Sequence, residues 1–110
     1  MATSTYKVLG QVNPSANTLT TLYTVPADTS TVVSTIAVCN QAENATAFRL
    51  AVRVNGESIT TKQYINYDTP LPGNDTITLT IGMTLAAGDV ISVYTGAATV
   101  SFNAFGSEVA

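Results

Sequence analysis

The chain has 110 residues, 45% of them hydrophobic and 10% charged, with a net charge of −3, one cysteine, and no histidine or tryptophan. That is enough chain for one domain with a real core; it excludes a histidine-dependent triad or dyad, an internal disulfide scaffold and a structural zinc site. Lys7, Arg49, Arg53 and Lys62 are the only cations, which argues against a nucleic-acid partner, and no apolar run approaches the roughly 18 residues of a membrane-spanning helix.

In chain order, the opening Met1 to Thr5 has neither a basic nor an apolar region, so no signal peptide is expected. Residues 1–14 read as an N-terminal arm or an irregular first strand, with Tyr6, Val8 and Val12 alternating before Asn13-Pro14 closes the segment. The β domain then occupies residues 15–110. Thr18 to Val25 is a strand ended by Pro26, and Thr31 to Cys39 is a β-branched run that disfavours helix. After the polar loop Asn40 to Asn44, Phe48, Leu50, Val52 and Val54 alternate with Arg49, Ala51 and Arg53. Asn55-Gly56 is a strong hairpin signal, because both positions tolerate positive φ; Ser58 to Tyr67 is expected to return as its partner strand.

Pro70 to Asp75 is a loop. Thr76 to Leu85 follows as the clearest strand of the chain. Ile77, Leu79, Ile81, Met83 and Leu85 share one parity, while Thr76, Thr78, Thr80 and Thr84 share the other. Turns at Ala86 to Asp89 and Gly96 to Ala98 lead into strands at Val90 to Tyr94 and Thr99 to Phe105. Seven or eight strands, with turns every 8–12 residues, are the pattern of a single-domain antiparallel β-sandwich, jelly-roll-like or immunoglobulin-like. The paired cysteines of a true immunoglobulin domain are missing. The expected core is Leu19, Ile36, Val38, Phe48, Leu50, Val52, Ile77, Leu79, Ile81, Ile91, Val93, Val100 and Phe102, with Cys39 buried among them.

Catalytic chemistry is scarce. Asp68, Asp75 and Asp89 lie near turns, where Asp and Asn bond their own backbone. Their spacing matches no calcium loop. A pair of carboxylates would suit a glycosidase, but the aromatic-lined groove such an enzyme needs has no tryptophan to draw on. No cofactor motif is present: the glycines do not form a phosphate-binding loop. Asn44-Ala45-Thr46 and Asn74-Asp75-Thr76 match the glycosylation acceptor pattern, and with no secretory signal they read as chance.

The remaining candidates are surfaces. Tyr64 and Tyr67 form a tyrosine pair suited to stacking on a sugar or anchoring a protein. Tyr6 and Val8 are candidate partner contacts in the first segment, which is suited to adding a strand to a neighbour's sheet edge. The Thr faces are neutral and lose little side-chain entropy on contact, so they suit close packing beside other proteins.

The segments Leu19 to Ala27, Thr31 to Gln41 and Ala47 to Val52, with Ala87 to Ile91 and Phe102 to Val109 near the end, resemble small virion structural proteins of tailed bacteriophages, those of cyanobacterial phages especially. The resemblance covers nearly the whole chain and its motifs are structural. It implies a non-enzymatic particle component located in the virion, best suited to a capsid decoration or cement protein. Its partners would be the major capsid protein or other virion proteins and further copies of itself, a trimer among the options, with no nucleic acid and no membrane. The alternatives are a neck, tail or fibre-associated domain, or a carbohydrate- or receptor-binding module working through Tyr64 and Tyr67.

Overall fold

Runs of Thr, Val and Ile become nine antiparallel strands in the computed structural model, which describes residues 3–110. They are β1 (Ser4–Val12), β2 (Thr20–Thr24), β3 (Ser30–Asn40), β4 (Thr46–Arg53), β5 (Tyr64–Leu71), β6 (Thr76–Leu79), β7 (Met83–Leu85), β8 (Val90–Thr95) and β9 (Val100–Val109). One sheet has the order β1-β9-β3-β6, with β7 also paired to β3; the other has the order β2-β8-β4-β5.

The pairing has a simple logic. β4 pairs with β5, β3 with β6 and β7, β2 with β8, and β1 with β9. The chain is thus one long antiparallel hairpin with its tip between β4 and β5. Rolling that hairpin up adds the β3·β9 and β4·β8 ladders, and the result is a two-sheet jelly roll. β6 and β7 are two pieces of one strand position, so eight positions are filled. The topology therefore selects the jelly roll over the immunoglobulin arrangement.

Between the sheets lies a core of Ile36, Val38, Phe48, Leu50, Leu71, Ile91, Val93, Val100 and Phe102. The Phe48 and Phe102 rings meet edge to face at a centroid distance of 6.1 Å. Val52, Ile77 and Leu79 pack against this cluster from its margin.

Several sequence expectations are corrected. Thr76 to Leu85 is not one strand: it breaks at Thr80 to Gly82, where Gly82 takes φ +64°. Ile81 sits in that break and is 50% exposed, outside the core. Leu19 precedes β2 and is 37% exposed for the same reason, since no ladder fixes its side inward. Asn55 and Gly56 do take positive φ, but within a short 3₁₀ turn, Val54–Gly56. A second such turn, Thr61–Gln63, follows, and the return strand begins only at Tyr64. Cys39 is half-buried rather than core. Val38 is wholly buried, so the period-2 rule turns its neighbour outward.

The first segment is a strand of its own chain's sheet. β1 pairs with β9 from Ser4↔Val109 to Val12↔Phe102, with a bulge between Val8 and Gly10. Gly10 is required there, because a Cβ would overlap the Leu22 carbonyl where β1 crosses β2. Met1 and Ala2, at the start of that segment, lie outside the described residues.

Candidate functional surfaces

The two sheets present different outer faces. The strands of the β1-β9-β3-β6/β7 sheet carry two charged residues, Lys7 and Glu108. Both have inward parity, and the Lys7 ammonium lies 3.1 Å from a Glu108 carboxylate oxygen. Glu108 is only 16% exposed, whereas Lys7, on the edge strand, is 45% exposed and borders the groove on the outer face, so that face carries this one paired cation and no carboxylate. Ladder register builds that face row by row. Tyr6, Ser107, Val32 and Thr84 form one row. Val8, Phe105 and Thr35 form the next. Gln11, Asn103, Ala37 and Thr78 come after, and Ser101, Cys39 and Thr76 end the face. The Thr side of the best sequence strand, apart from Thr80 in the break, thus points out here.

The middle of this face is apolar. Tyr6 is 86% exposed, and Val8, Val32 and Phe105 are also open to solvent. A shallow groove of about 430 Å³ crosses β1, β9 and β3, lined by Tyr6, Lys7, Val32, Ser34, Phe105, Gly106 and Ser107. A bulge between Val33 and Thr35 creates it by placing Ser34 and Thr35 both outward. At Gly106 a Cβ would overlap the Val32 carbonyl, so the missing side chain lets β9 and β3 close at the groove floor.

The predicted contacts Tyr6 and Val8 therefore share one surface, on which the structure adds Val32 and Phe105. Tyr64 and Tyr67 lie on the other sheet. Their rings meet at 4.9 Å and 86°. Arg49 sits over the Tyr67 ring at 4.2 Å and over the Tyr94 ring at 4.5 Å. Its Nε and Nη2 donate to the Asp68 carboxylate at 2.7 and 3.3 Å, which holds Arg49 even more firmly protonated than usual. Arginine thus occupies a ring face that a sugar would need, and the perpendicular rings offer no flat platform. Tyr94 donates to the Asn17 side-chain oxygen at 3.1 Å. This cluster ties β4, β5 and β8 together.

The acids serve the fold. Asp89 accepts from the backbone N–H of Asn55 at 2.8 Å and of Ala86 at 2.9 Å, joining the hairpin tip to the turn before β8. Asp75 accepts from Thr76 N–H. Asp68 itself adopts φ 51°, as Asn17, Asp28, Asn55 and Asn74 adopt similar positive values, a conformation Asx residues tolerate best after glycine. Near the sheet margin, Glu108 accepts from the Tyr23 hydroxyl at 2.5 Å, and Tyr23 shares a second bond with Thr31 at 2.8 Å. Burial, and then the Glu108 carboxylate, push the Tyr23 hydroxyl up to about 12. The Tyr23 bond, aided by Lys7, holds Glu108 below its ordinary value.

A second apolar groove, about 420 Å³, lies at the tip of the rolled hairpin among Val52, Val54, Glu57, Lys62, Gln63 and Ile65. Among the described residues no group of three His, Cys, Asp or Glu converges on one point, and no helix is long and apolar enough to cross a membrane.

No family model and no curated protein matches the chain. Among solved structures, a chain from the structure of infectious bursal disease virus Gx strain is similar, with a TM-score of 0.47 and 9% sequence identity. The match covers 98% of this chain and 31% of that one, so this chain spans about a third of its length.

Proposed function

We propose that this protein is a non-enzymatic structural component of a virus particle, acting through protein–protein contact. One observation carries the reading: a whole sheet face with no exposed carboxylate, a single paired lysine and an apolar centre of Tyr6, Val8, Val32 and Phe105. Solvated faces of soluble proteins carry mixed charges, whereas the cores of interfaces are depleted of them and enriched in aromatics. Roughly 450 Å² of those four side chains faces water, within the range of the largest patches on monomers, which are often functional.

The jelly roll itself hosts capsid, lectin and cupin domains alike, so the fold does not choose among them. The resemblance of Leu19 to Ala27, Thr31 to Gln41 and Phe102 to Val109 to tailed-phage virion proteins supports the particle reading over the others. Within a particle, the finer reading is a capsid decoration protein, whose single small domain adds contacts on the outer shell and resists internal pressure. Arg49 over the Tyr67 ring, and the Tyr64 ring set perpendicular to it, argue against a sugar site at Tyr64 and Tyr67.

An antibody raised against the recombinant chain and used for immunogold labelling of purified particles tests this. Label over the shell is expected. Label confined to the tail moves the protein to the neck, tail or fibre; particles free of the chain overturn the reading.

A further inference from the structure

Resting on the reading of this charge-poor face as a contact surface, we infer that its occupant is a second copy of this chain, packed about a twofold axis that runs along β9. Three observations lead there.

First, the face is both halves of one fit. An isologous interface must present a projection and its receptor on the same surface. Here Tyr6, 86% exposed, stands at the rim of the groove whose far wall is Val32 and Ser34. The two sides are related by register. Tyr6 on β1 and Val32 on β3 are opposite the same residue of β9, Ser107. Rotation about β9 lays β1 of one copy over β3 of the other. Each Tyr6 then drops beside the partner copy's Val32, and the two Phe105 rings meet near the axis.

Second, charge permits it. The chain is acidic overall, so most ways of bringing two copies together oppose like charges. This face brings no carboxylate, and its one cation, Lys7 at the groove, is already paired with Glu108 at 3.1 Å. A partner recognised by charge would find only that one paired lysine to read here.

Third, the area suffices. β1, β9 and β3 have 9, 10 and 11 residues. With strands about 4.8 Å apart and a rise of about 3.3 Å per residue, they cover roughly 475 Å² in projection. Two copies thus bury about 950 Å² in projection, and side-chain relief adds to that, which brings the contact to the bound of about 1,000 Å² expected of a specific interface. Thr84 and Thr78, on the β6/β7 side, stay outside the overlap and leave that margin for other contacts.

The test is sedimentation equilibrium of the full recombinant chain, without particles, up to about 200 µM, a range that captures micromolar association. The expected mass is twice the 11.4 kDa chain. Tyr6→Glu and Val32→Glu should each weaken dimerisation at least about tenfold, as loss of a central anchor does, with urea midpoints matching the wild type at concentrations low enough that both are monomeric, since only the dimer's own stabilisation is lost. Ile65→Glu, on the other sheet, should leave the dimer intact. A monomer at the top concentration overturns the inference, as does a trimer or a dimer indifferent to Tyr6→Glu. If the wild-type chain is monomeric yet is found on purified particles, the particle role survives and the second copy does not. A Tyr6-dependent dimer absent from particles gives the reverse.

Discussion

Glu108→Gln isolates the polar bond that ties the margins of the two sheets together. Glu108 on β9 joins Tyr23 on β2 and Lys7 on β1, and Tyr23 also reaches Thr31 on β3. The Glu108 side chain is 16% exposed and Tyr23 is buried, so the carboxylate–hydroxyl bond is largely shielded and belongs to the charged class, about 1.5–3 kcal/mol. The Lys7 contact is 45% exposed on the lysine side and adds about 0–1 kcal/mol. Glu108→Gln keeps the shape and a weaker bond, so a loss of about 1–2 kcal/mol is expected, with Tyr23→Phe costing a similar amount. The two should couple by about 1 kcal/mol or more in a double-mutant cycle, while Lys7→Met should couple weakly. Urea unfolding at neutral pH measures all of these. Strict additivity of Glu108→Gln and Tyr23→Phe would refute the assignment. The pH dependence carries a matching sign. Glu108 is held low, so its contribution is present above the ordinary carboxylate value of about 4.3 and fades as pH falls through its folded value. Tyr23 is held up to about 12, so its contribution is present below about 10 and is lost as pH rises from there toward its folded value. Tyr23→Phe should abolish the alkaline part of that loss.

Phe102→Ala removes a wholly buried ring that packs on Phe48; a cost of about 3–5 kcal/mol in urea unfolding is expected. Gly106→Ala and Gly82→Ala separate crowding from backbone strain: the first meets the Val32 carbonyl and should cost about 2–3 kcal/mol, whereas the second has open space and only its positive φ, about 1 kcal/mol. Cys39 is half-buried on the outer face, so a small maleimide should label the native chain without denaturant; labelling only after unfolding would return Cys39 to the core.

Parity arguments carried most of the fold, and they failed where the ladder is interrupted. Ile77 and Leu79 point inward as their alternation requires, but Gly82 ends the strand early, and Ile81 loses the register that its parity assumed. The outward side of Cys39 follows from parity alone, because Val38 as a core residue sends position 39 outward. Tyr6 and Val8, both exposed, were legible as surface candidates from the first segment alone. Val32 and Phe105 were not, because the β3 bulge shifts parity within a uniform β-branched run, and the pairing of β1, β9 and β3 joins residues from opposite ends of the chain. The Arg49 stack was equally hidden: Tyr67 and Tyr94 meet it only once β5 and β8 flank β4.

The most direct measurement is a cryo-EM reconstruction of purified particles with this chain located in the density. The expected result is the jelly roll on the shell, with Tyr6, Val8, Val32 and Phe105 covered by protein and the Arg49 cluster turned elsewhere. A particle that lacks the chain, or one that carries it with this face bare to solvent, would contradict the claim that the charge-poor sheet is where this protein works.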